Sequence, residues 1–208
     1  MSLNYEYNYK FKELEKKYRI YLNKEKPLVI RLDGKNITKN HREINLLTSN
    51  FTQDLHQSVK NCIKTTYNSN ATIYSILDET SIAFESGEDF FSCFDDTNQI
   101  YASNIFLQDF LSYFWKKPEY QNVKFGISMF SLLNQQAIET YIAERKRLGR
   151  IVAIDYYAKE KLERWMYHQQ SSANIIKNIK QKGLLYDFER NKSFVQGIYS
   201  TQTKKALQ

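Results

Sequence analysis

Residues 71–86 read ATIYSILDETSIAFES, two runs rich in β-branched and aromatic residues that meet at Asp78-Glu79. Such runs, too short for helices and joined by polar residues, predict a β-hairpin with acids at its tip. Upstream, Pro27-Leu28-Val29-Ile30-Arg31-Leu32-Asp33 alternates in the strand manner. Leu28, Ile30 and Leu32 fall on one face; Val29, Arg31 and Asp33 fall on the other, so Asp33 ends its strand on the face away from the greasy side. Between strand and hairpin, Ile44, Leu47, Phe51, Leu55, Val59 and Cys62 recur every three or four residues, predicting a helix over about 44–66. The same spacing returns through Ile100, Leu107, Leu111 and Phe114, predicting a helix over 98–115, and VKFGISMFS at 123–131 reads as a strand. The order β-α-β-β-α-β is the split βαβ, ferredoxin-like pattern, so the fold class expected is α+β.

Outside that unit, KFKELEKKYRIYL at 10–22 predicts an N-terminal amphipathic helix with Phe11, Leu14 and Tyr18 on one side. Residues 1–133 then form a palm-like core with its leading helix, and 134–208 a basic helical part packed on it. Within that part, one helix carries Ala137, Ile138, Tyr141 and Ile142, and a second, over 151–169, buries Ile154, Ala158, Leu162 and Trp165. Ser171-Ser172 caps a short helix that stops at Gly183, and a strand is expected over Ser193–Tyr199.

Charge is unevenly placed. The 208 residues carry a formal +7, yet residues 1–142 hold 16 basic and 17 acidic side chains while 143–208 hold 14 basic and 6 acidic. A basic end on a near-neutral body suits a polyanion, and nucleic acid fits better than a membrane because no lipidation motif accompanies it. No apolar run approaches the roughly 20 residues of a membrane span, and the first residues lack a signal-peptide core, so a cytoplasmic protein is expected. Cys62 and Cys93, with His41, His56 and His168, have no structural-zinc spacing. Both cysteines read as small core or near-surface residues, and His168 as a surface histidine. Six glycines and two prolines leave no Gly-rich phosphate loop of the dinucleotide or Walker type.

In the expected topology the strand ending at Asp33 lies beside the hairpin tipped by Asp78, which can bring the two carboxylates to one sheet edge. Two carboxylates there suit Mg²⁺, which takes one or two of them and fills its octahedron with water and phosphate oxygens. Asp-Gly and Asp-Glu are equally ordinary turn pairs. By themselves they do not separate a metal site from two turns.

Longer words point one way. FKELEKKYRIYLNKEKPLVIRLDGKNITKN (Phe11–Asn40), YSILDETSIAF (Tyr74–Phe84) and NQIYASNIFLQDFLSYF (Asn98–Phe114) resemble, in order and spacing, three motifs of the tRNA-His guanylyltransferase-like family, the 3′-to-5′ polymerases, especially its bacterial branch. The resemblance covers residues 10–115. It implies that Asp33 and Asp78 bind two Mg²⁺ ions, that the carbonyl of Gly34 completes a metal shell, and that Glu79 is the acid beside the second aspartate. It also implies that Lys35, Asn36, Thr38 and Lys39 form the loop that wraps a nucleoside triphosphate, GTP or ATP. The activity implied is nucleotide addition to the 5′ end of tRNA or another structured RNA, by a homo-oligomer, commonly a tetramer. Ile37 stands where the family has an aromatic residue, Leu77 where Ser or Asn precedes the acids, and Ile100 and Asn104 near family lysines. Arg145 falls at a family arginine.

The palm also suits a nucleotide cyclase or oligonucleotide synthase of the diguanylate-cyclase or CRISPR-polymerase type, or a silent RNA-binding relative. For RNA, Arg145, Lys146, Arg147 and Arg150 are candidate phosphate ligands, although helical spacing spreads them around the circumference. Tyr156, Tyr157 and Trp165 are candidate stacking residues.

Overall fold

The computed structural model describes residues 22–37, 44–94 and 99–203. The expected N-terminal helix, except Leu22, lies outside them, as do Thr38, Lys39 and His41.

The chain forms an α+β structure on a five-stranded antiparallel sheet of order β4-β1-β3-β2-β5, with β1 Leu28–Gly34, β2 Ala71–Ile76, β3 Glu79–Phe84, β4 Phe125–Ser131 and β5 Ile198–Gln202. Helix α1 (Phe51–Cys62) links β1 to β2 across β3. After the short α2 (Gly87–Phe91), helix α3 (Gln99–Phe114) links β3 to β4 across β1. Two split βαβ units therefore interleave, the ferredoxin-like arrangement, and β5 extends it by pairing with β2.

Position in the sheet explains the burial of β1. Flanked by β3 and β4, it has Leu28, Val29, Ile30 and Leu32 all fully buried, so the Val29 face is covered as well as the Leu28 face. A second layer covers it. Helices α1 and α3 pack on the Leu28–Ile30–Leu32 side through an aromatic cluster in which Phe114 meets Phe51, Phe110, Tyr120 and Phe125. On the other side lies α4, Gln136–Lys161, a single 26-residue helix where two were expected. It runs through Gly149 because it passes against β2 there: a Cβ on Gly149 would sit 2.7 Å from Ile76 Cδ1 and 2.8 Å from Ile76 Cγ2. The glycine is a packing residue, not a break.

Other boundaries moved for local reasons. Helix α1 starts at Phe51, not 44, because the Asn45 side chain accepts from the Leu47 N–H at 2.9 Å and turns the chain first. Its end passes into a π-helical turn, Ile63–Tyr67, closed by left-handed Asn68. After α4 come α5 (Arg164–Tyr167), α6 (Ser172–Gln181), α7 (Leu185–Arg190) and α8 (Lys192–Val195). As expected, Ser171 caps α6 and Gly183 follows it with φ 72°. The last strand begins at Ile198 rather than Ser193, because Asn191 accepts from the Phe194 N–H and opens α8. Trp165, expected in the core, is exposed, while Tyr157 is buried.

Candidate active site

Pairing of β1 with β3 sets Asp33 directly across from Glu79. The two-residue turn Leu77-Asp78 closes the hairpin one step further on, since Ile76 pairs with Glu79. The Gly34 N–H then donates to the Asp78 carbonyl at 2.9 Å, and the Lys35 N–H to the Lys124 carbonyl at 2.8 Å. The end of β1 is thus clamped between the hairpin and the approach to β4. Gly34 is required by this closeness: a Cβ there would lie 2.7 Å from Ile37 Cγ1 and 3.0 Å from Asp78 Cβ.

Strain accompanies the turn. Leu77 has φ 52°, a left-handed conformation that costs a non-glycine residue on the order of 1 kcal/mol. Asn would tolerate it better, yet the Leu77 side chain is buried, and burying a leucine contributes about 2 kcal/mol. Packing outweighs strain. The turn is held from beneath by Thr52 of α1, whose hydroxyl donates to the Leu77 carbonyl at 2.9 Å.

Asp33 and Asp78 are electrostatically coupled at this edge. Burial, and after it the charge of Asp33, push the Asp78 carboxyl up to about 7; Glu79 adds to this, while a bond from its own backbone N–H and the Lys35 ammonium oppose it. Lys35 extends back to Asp33, its Nζ 2.8 Å from Oδ2. The lysine stem crosses Gly126 of β4 so closely that a Cβ there would clash with Lys35 Cε. Asn36 takes a left-handed φ of 55°, which asparagine tolerates, and so turns the loop that buries Ile37.

Glu79 faces a different way. Its carboxylate pairs with Arg145 of α4 and lies 3.8 Å from Arg31 Nε. Arg145, expected at an RNA phosphate, is therefore a buried brace between α4 and the hairpin. Arg31, two residues before Asp33 on the same strand face, is a site neighbour that period-two alternation reveals. The other expected RNA ligands diverge: Lys146 lies over the Tyr74 and Tyr199 rings, Arg147 is paired with Glu144, and Arg150 is exposed.

Among the described residues, no three His, Cys, Asp or Glu side chains gather as a metal site. Two carboxylates at Asp33 and Asp78 are still a fitting donor set for a hard cation that draws the rest of its shell from phosphate and water. Like charges in a half-buried setting are stabilised by such a cation.

No family model matches the chain, and no curated protein sequence does. Solved structures do. A bacterial tRNA(His) guanylyltransferase-like protein in complex with ATP superposes with a TM-score of 0.64 at 13% identity, over 94% of this chain and 91% of that one. A bacterial protein of the same description in complex with GTP gives 0.55 at 16% identity, over 82% and 74%. The tRNA(His) guanylyltransferase of Saccharomyces cerevisiae gives 0.65 at 16% identity, over 89% and 92%. At these identities the likeness is one of fold, and the chain has the fold of the tRNA(His) guanylyltransferases.

Proposed function

We propose that this chain is a metal-dependent nucleotidyltransferase that adds nucleotides in the 3′-to-5′ direction to the 5′ end of tRNA or a tRNA-like RNA. The observation that carries the reading is the meeting of Asp33, Asp78 and the Gly34-Lys35 turn at one sheet edge. Fold neighbours solved with ATP and GTP support a nucleoside triphosphate as the second substrate.

Asp33, Asp78 and the Gly34 carbonyl are the residues that would hold a Mg²⁺ pair. When bound, it supplies Lewis-acid stabilisation of charge on the attacking and leaving oxygens. Lys35 is exposed and within reach of Asp33, so its ammonium can exchange that carboxylate for phosphate oxygens. Glu79 acts as a positioning residue, holding the hairpin to α4 through Arg145. In the reaction, the RNA 5′-phosphate attacks the α-phosphorus of a nucleoside triphosphate and pyrophosphate leaves; the incoming nucleotide's 3′-hydroxyl then attacks the RNA 5′ phosphorus, forming the new P–O bond as the nucleoside monophosphate leaves. Apart from Arg145, which braces the hairpin, the basic residues after 134 are assigned to the RNA. Homo-oligomeric assembly, tetrameric by resemblance, and a cytoplasmic setting belong to the same reading.

The test is incubation with 5′-truncated or 5′-monophosphorylated tRNA, labelled GTP or ATP, and Mg²⁺. RNA lengthened at its 5′ end is expected, and Asp78→Ala should slow it by roughly 10²–10³-fold through lost charge stabilisation. No extension with any nucleotide, or equal extension by Asp78→Ala, would overturn the proposal. Cyclic or oligomeric products formed from triphosphates without RNA would replace it with the cyclase or synthase reading.

A further inference from the structure

The aromatic residues of the basic C-terminal part have different environments. Tyr157 is buried and Tyr156 packs edge-on to Phe194, whereas Trp165 is 68% exposed. Tryptophan is enriched at interfaces, where its ring is covered and its N–H keeps a polar partner. This one is held rather than loose: its Nε1–H donates to Glu163 Oε2 at 2.8 Å. The other oxygen of Glu163 receives Lys182 Nζ at 3.4 Å. Glu163 thereby places an indole and an ammonium side by side. The mount is firm as well, because Asn178 of α6 donates to the Met166 carbonyl at 2.7 Å and Met166 is buried. Around it, residues 163–182 contain Arg164, Lys177, Lys180 and Lys182 against one acid, Glu163 itself.

We propose that Trp165 and Lys182 form a docking step for an unpaired nucleotide of RNA, the indole stacking on the base and the ammonium meeting the adjacent phosphate. A flat ring beside a cation on a surface where basic residues outnumber acidic ones is the chemistry that single-stranded nucleic acid requires. Trp165 lies just past the C-terminal end of α4, the helix whose Arg145 pairs with Glu79 beside Asp78. The inference rests on the RNA substrate of the proposed function and assigns part of that RNA a place.

The test uses the full chain with Trp115→Phe, which leaves Trp165 as the sole indole. Titration with a tRNA transcript should quench Trp165 emission. In the full chain with Trp115 retained and labelled tRNA, Trp165→Ala should raise the Kd about tenfold, while Trp165→Phe stays close to the parent. Lys182→Gln should flatten the slope of log K against log salt by about 0.7–0.9. Affinity for ATP should not change in either variant. Unchanged emission at saturation, a Trp165→Ala Kd within twofold of the parent, or equal quenching by poly-glutamate or phosphatidylserine vesicles would overturn the docking step. RNA binding through Trp165 without extension by any protein would remove the transferase reading alone. Extension by Trp165→Ala with an unaltered KM for RNA would remove the docking step alone.

Discussion

Glu79 shows how one side chain can serve a site without facing it. It sits across from Asp33 in the register and next to Asp78 in the chain, yet its carboxylate is turned to Arg145 and Arg31. Both partners of the Glu79–Arg145 pair are largely buried, so removing one charge strands the other in a poorly solvated place. Glu79→Gln should cost about 3 kcal/mol in urea unfolding. Glu79→Gln with Arg145→Met, which removes both charges of this pair and leaves that of Arg31, should recover part of that loss. Turnover should not recover with it, because the hairpin bearing Asp78 then lacks its tie to α4; measured kcat separates the two effects.

At the level of elements, the crossing of α4 over β2 decides how closely the helical layer approaches the sheet. Glycine in a helix interior is ordinarily a loss of about 1 kcal/mol against alanine. Here the loss is accepted because Ile76 occupies the space a Cβ would need. Gly149→Ala should therefore destabilise the protein by about 1–3 kcal/mol through overpacking. In an Ile76→Ala background the sign should reverse and Gly149→Ala should stabilise, since the obstruction is gone and helix propensity remains. Thermal unfolding of the four proteins in the cycle measures the coupling.

On the scale of the whole molecule, buried His56 joins segments far apart in the chain. One ring nitrogen is 3.0 Å from Ser75 Oγ of β2 and the other 2.9 Å from Ser200 Oγ of β5, so α1 is tied to the last strand. Burial, helped by the charge of Lys60, lowers the His56 pKa to about 4. The unfolded chain, with a histidine near 6.5, then takes up a proton before the folded one does. Stability from this residue is complete above pH 6.5 and is lost as pH falls towards 4, with a slope approaching 1.4 kcal/mol per pH unit. His56→Gln should remove that component of the pH dependence, as read by denaturant unfolding at pH 7, 6 and 5. Charge is arranged on the same scale: α4 begins the basic third of the chain, and its Arg145 braces the acid-bearing hairpin. By itself the sequence determined the βαββαβ order, the hairpin tipped by Asp78, the strand ending at Asp33 and the capped helix between Ser171 and Gly183. Each of these is written in local periodicity or turn chemistry. Only the tertiary structure decided that Gly149 continues a helix, that Arg145 turns inward to Glu79, and that His56 is buried while Trp165 is exposed. Those outcomes depend on which distant surface arrives to cover a side chain, and a local pattern carries no record of that.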